Sequence, residues 1–219
     1  MALFSAKRAF LCSKPPKTNC STWNNPRHKP PKNRRQKMTK KFLKTFSIFD
    51  LMIIAILASL GIAVSSITGY LVRLITGPLM IPGGAVAGGI YMMFLILAVA
   101  FTNKKTAAAL CGFVQALIVM ITGFGGHHGA MTIVTYTMPG IMVLLLLLAM
   151  RHNGCCTLCC FFAGVVANLT GTFLVGAGVM ALPAVPMYLS LGLASISGGL
   201  GGLLAYAIIK QVKSLGVLK

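Results

Sequence analysis

A single acidic residue, Asp50, occurs among 219 positions, against 20 lysines and arginines, for a formal net charge of +19. Charged residues make up 10% of the chain, whereas a soluble domain spends roughly a quarter on charge. Apolar residues reach 57% and the mean hydropathy is +0.86. A water-soluble globule and an acidic disordered chain are both excluded, and an integral membrane protein remains. The lone tryptophan, Trp23, lies in the basic N-terminal stretch, so the apolar part has none. Nucleotide-binding P-loops and HExxH zinc motifs are also missing, as is any acid/base pair fit for a membrane hydrolase. No carboxylate falls inside an apolar run, although ion-driven transporters usually need one or use broken helices. The chain therefore reads as a non-enzyme without a cofactor or resident metal. Uphill transport would need a motor on another chain.

What is present is unevenly placed. Thirteen of the basic residues lie in 1–44. Residues 1–37 are rich in Pro, Asn and Ser, lack an apolar period, and read as disordered. A nucleic-acid-binding arm has this composition, and so does an acid-poor transit peptide. The reading preferred here is translated upstream sequence, with the true start at Met38 and no nucleic-acid partner. Met38-Thr39-Lys40-Lys41-Phe42-Leu43-Lys44 then forms a short basic lead, 38–47, into a membrane domain at 48–213, followed by a tail at 214–219.

Six apolar runs follow: Ile48–Val72, Gly83–Phe101, Thr106–Thr122, Thr132–Met150, Cys155–Met180 and Tyr188–Ile209. Each approaches the ~20 residues of a spanning helix, and none alternates as a barrel strand does. The expected fold is all-α, an integral membrane bundle of six transmembrane helices. Counting from Met38, one orientation puts Lys40, Lys41, Lys44, Lys104, Lys105, Arg151, Lys210, Lys213 and Lys219 inside and Arg73 alone outside. By the positive-inside rule both termini are cytoplasmic.

That orientation collects polar residues in the outer halves of the helices. Candidates for contact with a small polar ligand are Gln115, Thr135, Tyr136, Asn168, Tyr188 and Ser195, with His127 and His128 in a glycine-rich loop and Arg73 after the first helix. Hydroxyls can instead bond their own helix backbone, Arg73 can snorkel to lipid phosphate, and the tyrosines can serve as interfacial belt residues. His127 and His128 have no partner on the same side to complete a metal site. Pro139-Gly140 predicts a kink in the fourth helix. Cys155, Cys156, Cys159 and Cys160 form a CCxxCC pattern at the cytoplasmic border, read as packing by reduced thiols. Small residues recur at four-residue spacing. Ala108/Gly112/Ala116, Gly84/Gly88 and Gly198/Gly202 are expected to pack inside the bundle. Ala55/Ser59/Ala63 on the first helix is the candidate docking face for another protein.

Residues 46–213 resemble the substrate-binding (S) components of energy-coupling factor (ECF) vitamin transporters, of the hydroxymethylpyrimidine/thiamine-precursor type. The resemblance is carried by the six-helix plan, the Ala55/Ser59/Ala63 face, Gly77-Pro78-Leu79-Met80-Ile81-Pro82-Gly83-Gly84, the segment 123–132 and Thr137-Met138-Pro139-Gly140. It implies capture of a vitamin or precursor from outside a plasma membrane, in a bacterial cell. It further implies docking through the first helix onto an ECF transmembrane coupling subunit driven by two cytoplasmic ATPase subunits, with toppling in the lipid bilayer to release the cargo. Thiamine-class sites commonly use acidic or aromatic side chains, and without acids in the outer half a neutral or anionic hydrogen-bonding precursor suits better. Two alternatives stay open: a multipass permease subunit for another cargo such as a transition-metal ion, and a non-transport membrane assembly protein.

Overall fold

The computed structural model describes residues 46–76, 83–123, 129, 131–150 and 156–214. The proposed disordered segment, most of the basic lead, Gly77–Pro82, His127, His128, Cys155 and the C-terminal tail lie outside these residues. Among the described residues there are six helices and no strand. They are α1 Ile48–Thr76, α2 Gly83–Thr102, α3 Ala107–Thr122, α4 Met131–Ala149, α5 Thr157–Gly178 and α6 Ala184–Ser214. Each predicted apolar run coincides with one helix. α6 begins four residues before the predicted Tyr188, because Pro186 falls in its first turn, where a missing N–H costs no helical bond.

Among the described residues, five helices are long and apolar enough to cross a membrane. α3, with 16 residues, extends only about 24 Å at 1.5 Å per residue. It stops at Gly123, whose φ of 70° places it in the left-handed region, with its N–H bonded back to the Val119 carbonyl at 2.8 Å. α2 is apolar all round, as expected of a helix enclosed by others. It packs against α1, α3, α5 and α6. Its Leu95, Ile96 and Val99 join Val143 and Leu147 of α4 and Ala163 and Ala167 of α5 in the core. Outward faces carry Ile56, Ile67, Leu74, Phe113, Leu145, Phe173 and Ile196, all exposed. Such a surface would aggregate in water and is ordinary against lipid.

Backbone-to-backbone packing holds α6 in place. Gly198 and Gly202 lie against Gly164 and the Cys160 carbonyl of α5, while Gly201 lies against Gly89 of α2. In lipid such close approach supplies the van der Waals contact that exclusion of water supplies elsewhere. Ser197 adds polar bonding to the same seam, accepting from the Gly89 N–H at 3.1 Å and donating to the Val86 carbonyl. On α3, Ala108, Gly112 and Ala116 are all buried, with Gly112 facing the Tyr136 carbonyl and Gly140 facing the Ala108 carbonyl. The internal role expected for the small residues of α2, α3 and α6 is thus seen at Gly88, Ala108, Gly112, Ala116, Gly198 and Gly202.

One end of the bundle carries the charge. Asp50, in the first turn of α1, pairs with Lys104 from the α2–α3 turn at 2.6 Å. The Lys105 ammonium donates to the Leu147 carbonyl near the end of α4 at 2.9 Å. The first pair puts a carboxylate at a helix N-terminus, and the second puts a cation where a helix C-terminus exposes its carbonyls. Toward the opposite end lie Ser65, Thr68, Thr135 and Thr172.

Candidate functional site

At that opposite end, a cavity of about 80 Å³ lies between the C-terminal halves of α1 and α5 and the N-terminal halves of α2 and α4. One water needs roughly 10–15 Å³, so the space holds a small molecule. α1 contributes Ser65 and Gly69. Gly83, Gly84 and Ala85, with Tyr91 and Met92, come from α2. Thr135 and Tyr136 come from α4, and Gly171, Thr172 and Val175 from α5. Glycine at the mouth of α2 lets the chain approach closely without side chains filling the space. Beneath the cavity the packed core around Leu95, Val99, Val143 and Leu147 continues toward the charged end.

The lining is uncharged among the described residues and rich in hydroxyls. Thr135 Oγ1 donates to the Thr132 carbonyl at 3.1 Å, and Ser65 Oγ donates to the Ile62 carbonyl at 3.1 Å. Pro139 lies four residues after Thr135, within α4. Having no N–H, it leaves the Thr135 carbonyl without its helical donor. The Pro139-Gly140 pair also lets α3 approach α4, since a side chain at Gly140 would meet the Ala108 backbone. Thr172 Oγ1 is buried with no hydrogen-bond partner.

The sequence candidates divide between the cavity and other places. Thr135 and Tyr136 line it. Asn168 is 1% exposed and serves as an interhelical strut. Its amide donates to the carbonyls of Ala85 on α2 at 3.2 Å and Ala194 on α6 at 2.9 Å, with Gly88 making room for it. Asn168→Ala is therefore expected to lower unfolding stability by about 1–2 kcal/mol, read as a drop in melting temperature, while a bound ligand is retained. Gln115 is buried between α3 and α1, where its Nε2 faces Gly61 and has no partner. It is not among the residues lining the cavity. Tyr188 is 75% exposed, and Ser195 bonds its own helix at the Leu191 carbonyl, 2.8 Å away. Arg73 belongs to α1, but its side chain, like His127 and His128, lies outside the described residues.

Ser65, Gly69, Tyr91, Met92 and Thr172 line the cavity and were missing from the sequence candidates. The signal for Tyr91 was a solitary tyrosine in an otherwise apolar helix. Thr172 was visible as one of several polar residues in the outer half of α5, with nothing to single it out. Of the CCxxCC cysteines, Cys159 and Cys160 behave as packing residues. Cys159 and Cys160 are buried, with Cys160 in the core cluster, and among the described residues no group of three metal-ligating side chains gathers.

A family model described as "ABC-type cobalt transport system, permease component" matches residues 49–170, more than half of the chain. The chain belongs to this family. The match runs from α1 into α5 and takes in the three helices α1, α2 and α4 that form most of the cavity wall. The structure is similar to a crystal structure of an S-component of an ECF transporter, with a TM-score of 0.63 and 21% identity, covering 78% of this chain and 88% of that one. At that identity the likeness is one of fold, and it is the fold the sequence resemblance implied. No curated protein matches the chain. The protein is a multi-pass membrane protein of an ABC-type transport family.

Proposed function

We propose that the chain is the substrate-binding S component of an ECF-type ABC importer, capturing a vitamin or vitamin precursor in the cavity between α1, α2, α4 and α5. The observation that carries this reading is a cavity lined by several hydroxyl-bearing residues, open near one end and backed by a packed apolar core. Such an arrangement binds a molecule without offering it a path through. Release on the other side then requires movement of the subunit, driven by a coupling subunit and two ATPase subunits. Membership of an ABC-type transport family and the S-component fold support the division of labour. The positive-inside count supports cytoplasmic termini and hence a cavity facing outward from a bacterial plasma membrane.

The Ala55/Ser59/Ala63 face supports the docking assignment. All three residues are exposed, about 100° round α1 from the buried Ile54, Ala58 and Ile62. The Ser59 hydroxyl donates to the Ala55 carbonyl at 2.8 Å. With its hydrogen returned to its own helix, Ser59 presents nearly the surface of an alanine.

The family description names cobalt, which favours a second reading in which the cargo is a transition-metal ion. The described lining offers hydroxyls and the thioethers of Met92 and Met180, and a set of neutral donors of this kind suits an organic ligand better than a first-row divalent ion. Native mass spectrometry of the purified full chain decides between them. A co-purified small organic molecule is expected. Recovery of a bound metal ion would favour the second reading, and an empty protein that binds no pyrimidine, thiazole or vitamin would reject the first.

A further inference from the structure

The N-terminal half of α1 must aim the Ala55/Ser59/Ala63 face, yet few of its own side chains hold it. α1 packs chiefly against α2 and α3, and a helix in lipid turns about its axis at little cost until neighbours hold it. Its middle is held at Gly61, which sits against Phe94 of α2 and Gln115 of α3. Before Gly61, the buried residues of α1 are Ile54 and Ala58 alone. Asp50 is the next position down the same four-residue ridge. Its carboxylate receives the Lys104 ammonium at 2.6 Å. The Asp50 and Lys104 side chains are 17% and 28% exposed, so water and salt weaken this pair less than a surface pair. Lys104 is itself well placed. Asn103 before it takes a left-handed φ of 54°, a conformation asparagine tolerates. The Lys104 carbonyl accepts the Ala107 N–H at 3.0 Å, at the start of α3. Lys105 beside it donates to the Leu147 carbonyl of α4. The α2–α3 turn thus grips α4 with one lysine and the foot of α1 with the other. Asp50 is the only acidic residue in the sequence, so no other carboxylate side chain can take its place.

We propose that Asp50 and Lys104 are positioning residues for docking onto the coupling subunit: their ion pair fixes the N-terminal half of α1, and with it the aim of Ala55 and Ser59. The inference rests on the reading of the chain as an S component. Ala55 and Ser59 each follow a buried residue, Ile54 or Ala58, by one position, about 100° round the helix. Any turn or tilt of that ridge therefore swings the docking face with it. Distance separates this effect from ligand binding. Ala55 lies five residues from Asp50, about 8 Å along the axis, whereas Ser65 of the cavity lies fifteen residues away, about 22 Å. The contacts of Gly61 stand between Asp50 and Ser65. Loss of the pair frees the foot of α1 and leaves the cavity wall in place.

The test titrates the full chain in lipid nanodiscs against the coupling subunit with its two ATPase subunits. Occupancy by a co-purified ligand, read by native mass spectrometry, and melting temperature are measured on the same preparations of the chain alone. Asp50→Asn and Lys104→Gln are each expected to weaken docking by about fivefold. The double variant should be no weaker than either single one, because both substitutions break the same interaction. Ligand occupancy should stay within about twofold of wild type in all three, since the cavity is distant from the pair. An Asp50→Asn variant that docks as wild type does overturns the inference and leaves the S-component reading intact. So does an effect of Asp50→Asn that Lys104→Gln does not share, or losses that add in the double variant, since either means separate contacts with the partner. Loss of ligand and of melting temperature together with docking also overturns it, because the pair then supports the bundle as a whole. A wild type that neither binds the coupling subunit nor carries a ligand overturns the S-component reading, and this inference with it.

Discussion

Ser59→Leu is expected to abolish recovery of a complex with the coupling subunit while leaving ligand binding and melting temperature unchanged. Small residues let helices approach more closely than the usual 8–10 Å between axes. A leucine in the middle of the Ala55/Ser59/Ala63 stripe would hold a partner helix off along its whole contact length. The substitution should not disturb the bundle, because Ser59 is exposed and its hydroxyl bonds the Ala55 carbonyl of its own helix. In lipid the added leucine is as well solvated as Ile56 or Leu60 beside it, both exposed. The measurement is co-purification from membranes containing the coupling and ATPase subunits, with ligand occupancy determined on the same preparation. An intact complex would move the docking face elsewhere on the surface.

Gly164→Leu is expected to have the largest effect on folding, reducing the yield of monodisperse protein to a small fraction of wild type. A Cβ at Gly164 would run into the backbone carbonyl of Gly198 and the backbone of Gly202. Backbone cannot rotate aside as a side chain does, so α5 and α6 must part. Their separation would also disturb the Asn168 bond to Ala194. Losses beyond about 4 kcal/mol belong to such failures of core packing. Gly192→Leu is the control: nothing lies within 4 Å of a Cβ there, and its cost should stay within about 0.5–1 kcal/mol. Size-exclusion profiles and thermal melts of the two variants measure the difference. Equal behaviour would show that α6 is not held by its glycine seam.

The positions of the helices along the chain were legible because a bilayer imposes one requirement, an apolar run long enough to cross it. Thr135 and Tyr136 were legible as cavity residues once the alternation of spans put them at the same end as Ser65. Asn168 and Gln115 show where that argument stops. Both are polar residues in the middle of apolar helices, and either would suit a ligand. One is spent joining α5 to α2 and α6, while the other faces Gly61. A helix packed among helices in lipid has apolar surroundings on every side, so composition does not reveal which face turns inward. α2, apolar around its whole circumference, is the extreme case.

Composition and order alone were enough to determine a multi-pass α-helical membrane protein, its spans and its lack of a built-in ion-coupling carboxylate. These follow from transfer free energies, which each segment carries independently of its neighbours. Tertiary structure decided that Asn168 is a strut, that Ser65, Thr135 and Thr172 come together around one cavity, and that Ala55, Ser59 and Ala63 face outward. Rotation of a helix about its axis costs nothing in the bilayer until a neighbour is present. Only the packing of Gly89, Gly164, Gly198 and Gly201 against backbone selects which side chains meet.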